Sequence, residues 1–329
     1  MENLVKHLLN KKGLTTLKVN FSEELFNRKT NPELEAWIDK KWNEKLKTSG
    51  SKLWNGSKFR LDSVENETIN IGLTCYKDLH ATNHNSPYKL EDKFLANPFG
   101  TCGVLITSDD EVIVVKRASW VGENAGKLDL PGGHAEPDNC KTGLNNDSVE
   151  KELINSQADE LIEELNIKKE EILNHKLHAI FGVPPSKRPV AYFVTTTSLT
   201  SEQVLKRHSL GGAETDESAK VFTVKVSELK TFVEKVEDMC LNGILAIGTF
   251  LFSKDDLDET EFMELVKNKI SNSPLYPTYI FCNLNHHFIF SSQVQQQYNA
   301  HHFHLVFQLN LQKYFRIYRF HNTRVKKKI

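Results

Sequence analysis

The sequence predicts an α/β protein in which helices interrupt the strands of a mixed sheet. Three observations support this class. Short β-rich segments recur from about residue 15 to about residue 225, with polar turns between them. Helical periodicity is strong in one segment, from about 148 to 166. The composition, 39% hydrophobic and 26% charged, is that of a globular protein, and 329 residues are enough for two domains.

Residues 1–100 are predicted to form a smaller α+β domain. The runs "TLKVNF", "KFRLDSV" and "ETINIGLTCY" are typical of strands with polar breaks between them. A helix is predicted over 32–47, because Pro32 stands near its start and apolar residues follow at helical spacing. Those apolar residues, Trp37 and Ile38 among them, are expected to face the core.

Residues 101–255 are predicted to form the main α/β domain. "TCGVLIT" and "EVIVVKRA" indicate paired strands around the turn "SDDE", and "KLDLPGG" indicates a further strand that ends in a turn. After the helix at 148–166 come three β-rich runs, "KLHAIFGV", "VAYFVTTTSL" and "AKVFTVKV", with helices predicted in "SEQVLKRH" and near 226–236.

Residues 256–329 are predicted to be a divergent tail that is poorly ordered. From about 270 the chain is rich in His, Gln, Asn and aromatic residues, unlike the rest of the sequence. The histidines there could be metal ligands, but the composition favours an appendage outside the folded domains.

Charge and cysteine usage exclude several classes of protein. A formal net charge of -1 gives no overall basic field for a nucleic acid. The five cysteines are scattered and have no C-x-x-C spacing, so neither a zinc site nor a disulfide framework is indicated. Reduced thiols predict the cytoplasm or the nucleus. The first residues lack the features of a secretory signal, and no run approaches the roughly 20 apolar residues that span a membrane.

The stretch "LDLPGGHAEP", 128–137, and the helix that follows it are the candidate site. The paired glycines let the backbone approach a ligand closely. Glu160, Glu163 and Glu164 are spaced i, i+3, i+4, so they share one face of the helix and repel one another. Such a face is either a solvated acidic surface or a site for a hard cation, since Mg²⁺ binds carboxylates together with substrate phosphates.

This turn and helix resemble the Nudix box, G-x5-E-x7-R-E-U-x-E-E-x-G-U, where U is apolar. The matching residues are Gly133, Glu160, Leu161, Glu163, Glu164 and Ile167. Asn139 stands where the first Glu is expected, Asp159 replaces the Arg, and Asn166 replaces the last Gly. Residues 140–158 take the place of a seven-residue spacer, so the box is degenerate.

The departures resemble one divergent branch of the Nudix hydrolases, the uridine diphosphate glucose pyrophosphatases. The resemblance extends over "KFRLDS", "IGLTCYKDL", "LTSEQV" and "GGAETDES", and it covers most of residues 35–250 but none of the tail. It implies an α/β/α sandwich with a mixed sheet, whose smaller N-terminal domain contributes to the substrate site. It also implies Mg²⁺ as cofactor, with Mn²⁺ as an alternative, and hydrolysis of UDP-glucose and UDP-galactose to UMP and a hexose 1-phosphate.

The resemblance assigns roles to individual residues. Glu160 and Glu164 are the expected metal ligands, and Glu163 is either a third ligand or the base. Arg117 is expected to bind the diphosphate; its alternative is an ordinary residue at a strand end. Trp54 and Tyr76 are expected to hold the uracil ring by stacking or, alternatively, to pack in the core.

The remaining candidates have weaker support. Asp129 and Glu136 flank the turn and are expected to hold sugar hydroxyls or water molecules on the cation, although Asp129 could equally cap a strand end. Gly122 is expected to offer its backbone to the ligand, and Asn242 to contact the sugar. Glu217 stands where many Nudix proteins place a late carboxylate.

Two other functions remain open at this point. A different Nudix pyrophosphatase, acting on ADP-ribose or a dinucleotide, would use the same acidic helix but would not need Trp54 or Tyr76. A non-catalytic protein that binds nucleotide sugars would fit the loss of the first Glu and the Arg of the box. No nucleic acid or membrane partner is expected, and the oligomeric state is left open.

Overall fold

The larger sheet is mixed, as predicted. The computed structural model describes residues 4–49, 53–85, 90–121, 124–212 and 217–272. The strands of this sheet are β1 (Val5–Leu14), β5 (Gly100–Ile106), β6 (Glu111–Arg117), β7 (Leu128–Asp129), β8 (Ile172–Val183), β9 (Arg188–Thr197) and β10 (Ser218–Lys225). Their order is β1-β8-β9-β5-β6-β10, with β7 paired to β6. Only the β5–β9 pair is parallel among these pairings of the described strands.

A smaller sheet lies in the N-terminal part of the chain. It consists of β2 (Lys18–Phe21), β3 (Ser57–Glu65) and β4 (Thr68–Cys75) in the order β2-β4-β3. Its apolar residues Phe59 and Ile71 share one core cluster with Ile180 and Phe193 of the larger sheet. Arg60 of β3 is buried at 1% exposure and donates to the carbonyl oxygens of Phe26, Leu95 and Asp92.

Eight α-helices surround the sheets in the described part of the chain. They are α1 (Glu23–Phe26), α2 (Pro32–Ser49), α3 (Tyr76–Leu79), α4 (Asn146–Leu165), α5 (Ser201–Ser209), α6 (Leu229–Lys235), α7 (Leu241–Ser253) and α8 (Glu259–Asn272). The four helices predicted from the sequence are therefore confirmed as α2, α4, α5 and α6. None of the helices described is long and apolar enough to cross a membrane.

Helices cover both faces of the larger sheet, so the predicted sandwich is confirmed. Phe193 of β9 packs in the same cluster as Val149 and Leu153 of α4. Its neighbour Tyr192 points to the other face, because side chains alternate along a strand, and its hydroxyl donates to Asn242 of α7 at 3.4 Å. The sheet is thus a middle layer between α4 on one side and α7 on the other.

Helix α4 begins and ends with residues suited to those positions. Asn145 caps the N-terminus: its side chain accepts from Ser148 N, and the Ser148 hydroxyl accepts from Asn145 N. Asn166 ends the helix in the left-handed conformation, with φ of 54°. Asn tolerates that conformation better than most residues, which explains how it can stand in the position that the box gives to Gly.

The domain boundaries predicted at residues 100 and 255 remain predictions. The described residues up to Ile270 form one compact unit. Strand β1 pairs with β8 in the larger sheet, and α8 buries Phe262 and Val266. Of the tail predicted over 256–329, the first part contains helix α8. The rest of it, from residue 273 onward, lies outside the described residues together with its histidines.

Candidate functional site

An open cavity of about 450 Å³ lies where the Gly-Gly turn meets helix α4. This volume is within the usual range for a small-molecule site. The cavity is lined by residues from the N-terminal part of the chain, such as Trp54, and by residues of the larger sheet and helix α4. The lining includes these residues predicted from the sequence: Trp54, Tyr76, Arg117, Asp129, Gly133, Glu136, Glu160, Glu163, Glu217 and Asn242. Gly122 lies outside the described residues.

The two glycines of the turn are needed because other atoms occupy the space that a side chain would take. A Cβ on Gly132 would overlap the carbonyl oxygen of Thr101 in β5. A Cβ on Gly133 would overlap the carboxylate of Glu160. The turn is therefore pressed against the sheet at one glycine and against helix α4 at the next.

Two carboxylates of α4 hold the backbone of this turn. Glu164 Oε1 accepts from Gly132 N at 3.1 Å, and Glu160 Oε1 accepts from His134 N at 3.0 Å. The distance between the two glutamates along the helix matches the distance between residues 132 and 134 along the turn. Four helical residues rise about 6 Å, and two extended residues span about 6.6 Å. The hydrogen bonds fix both carboxylates beside the glycine backbone.

A third carboxylate of α4 lies at the end of the same turn. Glu152 Oε1 accepts from Glu136 N at 2.9 Å and from Asn139 Nδ2 at 3.2 Å. Glu136 in turn forms an ion pair with Lys58 of β3. Glu152 and Lys58 both line the cavity, and neither was predicted from the sequence.

Burial raises the pKa of two buried carboxyl groups at the site, Glu164 and Asp129. For Glu164, which is 3% exposed, burial raises the pKa to about 8. The hydrogen bond from Gly132 and the charge of Arg117 oppose that rise, while Glu217 and Asp129 add to it. Burial likewise raises the pKa of Asp129, and Arg117 opposes it. The site therefore brings buried acidic groups close together. A bound cation would reduce the free-energy cost of ionising them.

We expect Glu164→Gln to stabilise the protein at high pH when no divalent cation is present. A carboxyl whose folded pKa of about 8 exceeds its ordinary 4.5 binds more protons in the folded state between those values. The wild type therefore loses stability as pH rises through that window, and Gln removes this loss while keeping an oxygen for Gly132 N. Melting temperatures are measured with chelator at pH 5 and pH 8. The melting temperature of the variant relative to that of the wild type should be higher at pH 8 than at pH 5. A variant that falls further behind at pH 8 would contradict the expectation.

Two tryptophans at the cavity are largely exposed. Trp54 is 75% exposed and Trp120 is 56% exposed, although both line the cavity. The alternative that Trp54 packs in the core is therefore wrong, since burial is what defines a core residue. Tyr76 is half-buried and meets Trp42 of α2 edge-on, with ring centroids 6.1 Å apart. Its ring combines packing with exposure to the cavity.

Basic groups from two strands reach the cavity. Arg117 is the last residue of β6, and Arg188 is the first of β9. Both line the cavity, and the positive charge of each lowers the pKa of Asp129. Arg188 was not predicted, because only the strand order shows that these two strand ends lie at the same edge of the sheet. The pair suits an anion with more than one oxyanion group.

The remaining predicted residues lie at or next to the ends of strands and helices. Asp129 is buried at the end of β7, where Oδ1 accepts from Leu130 N at 3.0 Å. It thus has the strand-end hydrogen bond of its alternative interpretation, and it also lines the cavity. Asn242 stands in the first turn of α7, and Glu217 directly precedes β10.

The donor atoms at this site fit a hard cation in their chemistry. The acidic face of α4 offers carboxylate oxygens, which Mg²⁺ and Mn²⁺ prefer. Within the described ranges, however, no three His, Cys, Asp or Glu side chains converge closely enough to hold a metal ion as they stand. Glu160 and Glu164 instead accept hydrogen bonds from backbone N–H groups; Glu160 lines the cavity, whereas Glu164 is buried behind the turn and is not part of the cavity lining.

Comparisons with known proteins find relatives of this chain by sequence. The human uridine diphosphate glucose pyrophosphatase NUDT22 is 30% identical over 239 residues, which are 63% of this chain and 78% of the human protein. Nudix hydrolase 9 of Arabidopsis thaliana is 28% identical over 261 residues, 68% of this chain and 82% of the plant protein. A solved MutT protein from Methanosarcina mazei aligns with 52% of this chain and 91% of its own, at 16% identity and a TM-score of 0.29. No family model matches the chain.

Proposed function

The chain belongs to the Nudix hydrolase family, in its uridine diphosphate glucose pyrophosphatase branch, and on that premise we propose that it hydrolyses UDP-glucose and UDP-galactose. As a member of that family it is an enzyme that cleaves a phosphoric anhydride. The proposed products are UMP and a hexose 1-phosphate. One observation supports this substrate class most directly: a single cavity is lined by the acidic face of α4, by two arginines and by two exposed tryptophans.

We propose Glu160 and Glu164 as the residues that hold Mg²⁺, with Mn²⁺ as an alternative. When bound, the cation neutralises charge on the diphosphate and lowers the pKa of a coordinated water. The protein supplies the rest of the electrostatics. Arg117 and Arg188 bind diphosphate oxygens through their planar guanidinium groups. Gly132 and Gly133 let the turn pack directly against β5 and against the Glu160 carboxylate, which lines the cavity.

Glu163 is the proposed base. It is exposed on α4, next to the two carboxylates that hold the turn, and it lines the cavity. Partial desolvation of its carboxyl group at the cavity wall raises its pKa, and the charges of Asp159 and Glu136 raise it further. A raised pKa brings a carboxylate closer to the pH at which a general base works best. Glu163 then takes a proton from the attacking water, whose oxygen bonds to one phosphorus of the diphosphate. The bond between that phosphorus and the bridging oxygen breaks, and the bridging oxygen leaves as part of the other phosphate monoester product.

The remaining cavity residues are proposed to contact the hexose and the uracil ring of the substrate. Glu136, Asp129 and Asn242 offer oxygens or an amide to the hexose hydroxyls. Trp54 is the proposed stacking surface for uracil, because its exposed ring faces a cavity. Trp120 offers a second ring of the same kind.

The test of the function is a hydrolysis screen with products identified. The purified chain is incubated with Mg²⁺ or Mn²⁺ and UDP-glucose, UDP-galactose, ADP-ribose or a dinucleotide, and phosphorus NMR identifies the products. Preferred turnover of the UDP-hexoses to UMP and hexose 1-phosphate is expected. Preference for ADP-ribose or a dinucleotide would replace the proposed substrate, and binding without turnover would make the chain a nucleotide-sugar-binding protein.

Trp54→Ala is expected to raise KM for UDP-glucose about 5- to 150-fold with little change in kcat, because loss of an aromatic contact to a base costs about 1–3 kcal/mol. Uracil lies away from the reacting phosphorus, so its contacts are nearly equal in the ground and transition states. The exposure of Trp54 predicts an unchanged melting temperature.

Two controls accompany the Trp54 measurement. Trp54→Phe keeps a ring and should keep most of the affinity. A purine substrate that does not use the aromatic surface should lose little with Trp54→Ala. Equal losses on both substrates, together with a large fall in melting temperature, would remove Trp54 from the site.

Cysteine usage supports a reducing compartment. The described cysteines Cys75, Cys102, Cys140 and Cys240 are all free thiols. We infer the cytoplasm or the nucleus, where thiols stay reduced.

A further inference from the structure

The Nudix box of this chain lacks its first carboxylate, because residue 139 is Asn, but the carboxylate of another residue, Glu152, lies beside that position. Asn139 occupies the sequence position of the missing Glu, and its amide donates to Glu152 Oε1 at 3.2 Å. The same oxygen accepts from the backbone N–H of Glu136 at 2.9 Å. We propose that Glu152 is a positioning residue, which supplies this carboxylate from helix α4 and fastens the end of the Gly-Gly turn.

Glu152 lies on the side of α4 that faces the cavity. It recurs with Ser156, Asp159 and Glu163 at spacings of three and four residues, so these side chains share one face. All four line the cavity. Glu152 is nevertheless only 8% exposed, because the turn covers it.

The hydrogen bonds of Glu152 complete a pattern along the turn. Glu164, Glu160 and Glu152 accept the backbone N–H groups of three alternate residues, 132, 134 and 136. Alternate residues of an extended segment present their N–H groups on one side. The turn is therefore fastened to α4 at three points, and Glu152 fastens the one farthest from the glycines.

Glu152 would otherwise be an unfavourable choice at this position. It is a buried carboxylate whose neighbours include the negative charges of Asp159 and Glu136. A buried carboxylate is tolerated when hydrogen bonds compensate its desolvation, and two donors do so here. Loss of Glu152 would free the end of the turn and leave the N–H of Glu136 without this acceptor. The backbone of His134, which orients Glu160, is two residues away.

Helix α4 contains a matched control. Glu150 is also a glutamate that accepts a backbone N–H, from Leu17, at 2.9 Å. It does not line the cavity. Glu150→Ala thus removes the same kind of hydrogen bond from the same helix without touching the turn.

The experiment compares Glu152→Ala with Glu150→Ala in the full-length chain, by turnover of UDP-glucose and by amide hydrogen exchange. This inference rests on the proposed function, so exchange supplies a readout without substrate. Glu152→Ala is expected to lower kcat about tenfold or more, as loss of a charge-assisted hydrogen bond does, while KM changes less than about threefold. Amides of residues 130–137 should exchange at least about tenfold faster in this variant alone.

Two further variants keep the test decisive. Glu152→Gln retains an oxygen acceptor and should keep most of the turnover. If Glu152→Ala fails to fold, Glu152→Met replaces it, because Met fills a similar volume but removes the carboxylate oxygens. The pair Glu152→Ala with Asn139→Glu returns the carboxylate to the position of the box and should also recover turnover.

The outcomes separate this inference from the proposed function. Equal kcat for the Glu152 and Glu150 variants, or unchanged exchange at 130–137 in Glu152→Ala, would overturn the positioning role. If the wild type hydrolyses no nucleotide sugar, the proposed function fails. The exchange data then decide on their own whether Glu152 fastens the turn.

Discussion

Glu160→Gln is expected to lower kcat by about two orders of magnitude or more, as removal of electrostatic stabilisation at a reacting centre commonly does. Gln keeps an oxygen that can accept from His134 N, so the hydrogen bond of 3.0 Å survives the change. The negative charge is lost, and with it one of the two carboxylates proposed to hold the cation. The melting temperature should stay close to that of the wild type.

The control for this loss is Glu150→Gln on the same helix. Glu150 accepts from Leu17 N outside the cavity, so its charge can be removed without affecting the site. Rates are measured for both variants and for Glu164→Gln over a range of Mg²⁺ concentrations. Near-normal turnover of Glu160→Gln at modest Mg²⁺ would refute its assignment as a metal ligand.

Local sequence signals were enough to predict the acidic helix and the turn. The spacing of Glu160 and Glu164 follows from helical geometry alone, and the predicted helix at 148–166 lies within two residues of the observed Asn146–Leu165 at each end. The paired glycines indicate that another group approaches the backbone closely, but they do not identify that group as the Glu160 carboxylate. Both inferences concern residues near one another in the chain, where periodicity carries the information.

Residues that reach the site from distant strands could not be predicted in this way. Arg188 is the first residue of β9, about seventy positions after Arg117 in the sequence. The two meet because β6 runs antiparallel to β5 while β9 runs parallel to it. No local pattern encodes that strand order. Lys58 was missed for the same reason, since its ion pair with Glu136 joins two separate parts of the chain.

Glu152 and Trp120 were missed for different reasons. The spacer of the box is expanded, so sequence alignment to the pattern gave Glu152 no counterpart, although its helical spacing to Glu163 was available. Trp120 follows a strand in a polar loop, where a single aromatic residue has no periodicity to interpret. Its exposure of 56% beside the cavity is what gives it significance.

The adjacent glycines of the turn are expected to respond in opposite ways to the same substitution. A Cβ on Gly132 would meet backbone atoms, the Thr101 oxygen and Cys102 Cα, which belong to the central strand β5. Backbone in a sheet cannot move aside cheaply, so Gly132→Ala should destabilise the fold by about 1–3 kcal/mol, the usual cost of overpacking. Its melting temperature should fall, and activity should fall with the folded fraction.

Gly133→Ala is expected instead to leave the fold nearly intact and to remove about 99% of the turnover, the loss typical when a charge-stabilising group is displaced. The atoms that its Cβ would meet are the carboxylate of Glu160, the far end of a flexible side chain. That side chain can rotate away, which relieves the overlap but withdraws the carboxylate from His134 N and from the proposed cation. Gly100→Ala is the control in the same cavity wall, because its Cβ would lie at ordinary contact distance, 3.4 Å or more, from nearest neighbours that include no carboxylate. Melting temperature and kcat are measured for all three variants. A Gly133→Ala protein with normal kcat would show that the position of the Glu160 carboxylate does not limit the reaction, since the substitution forces that carboxylate to move.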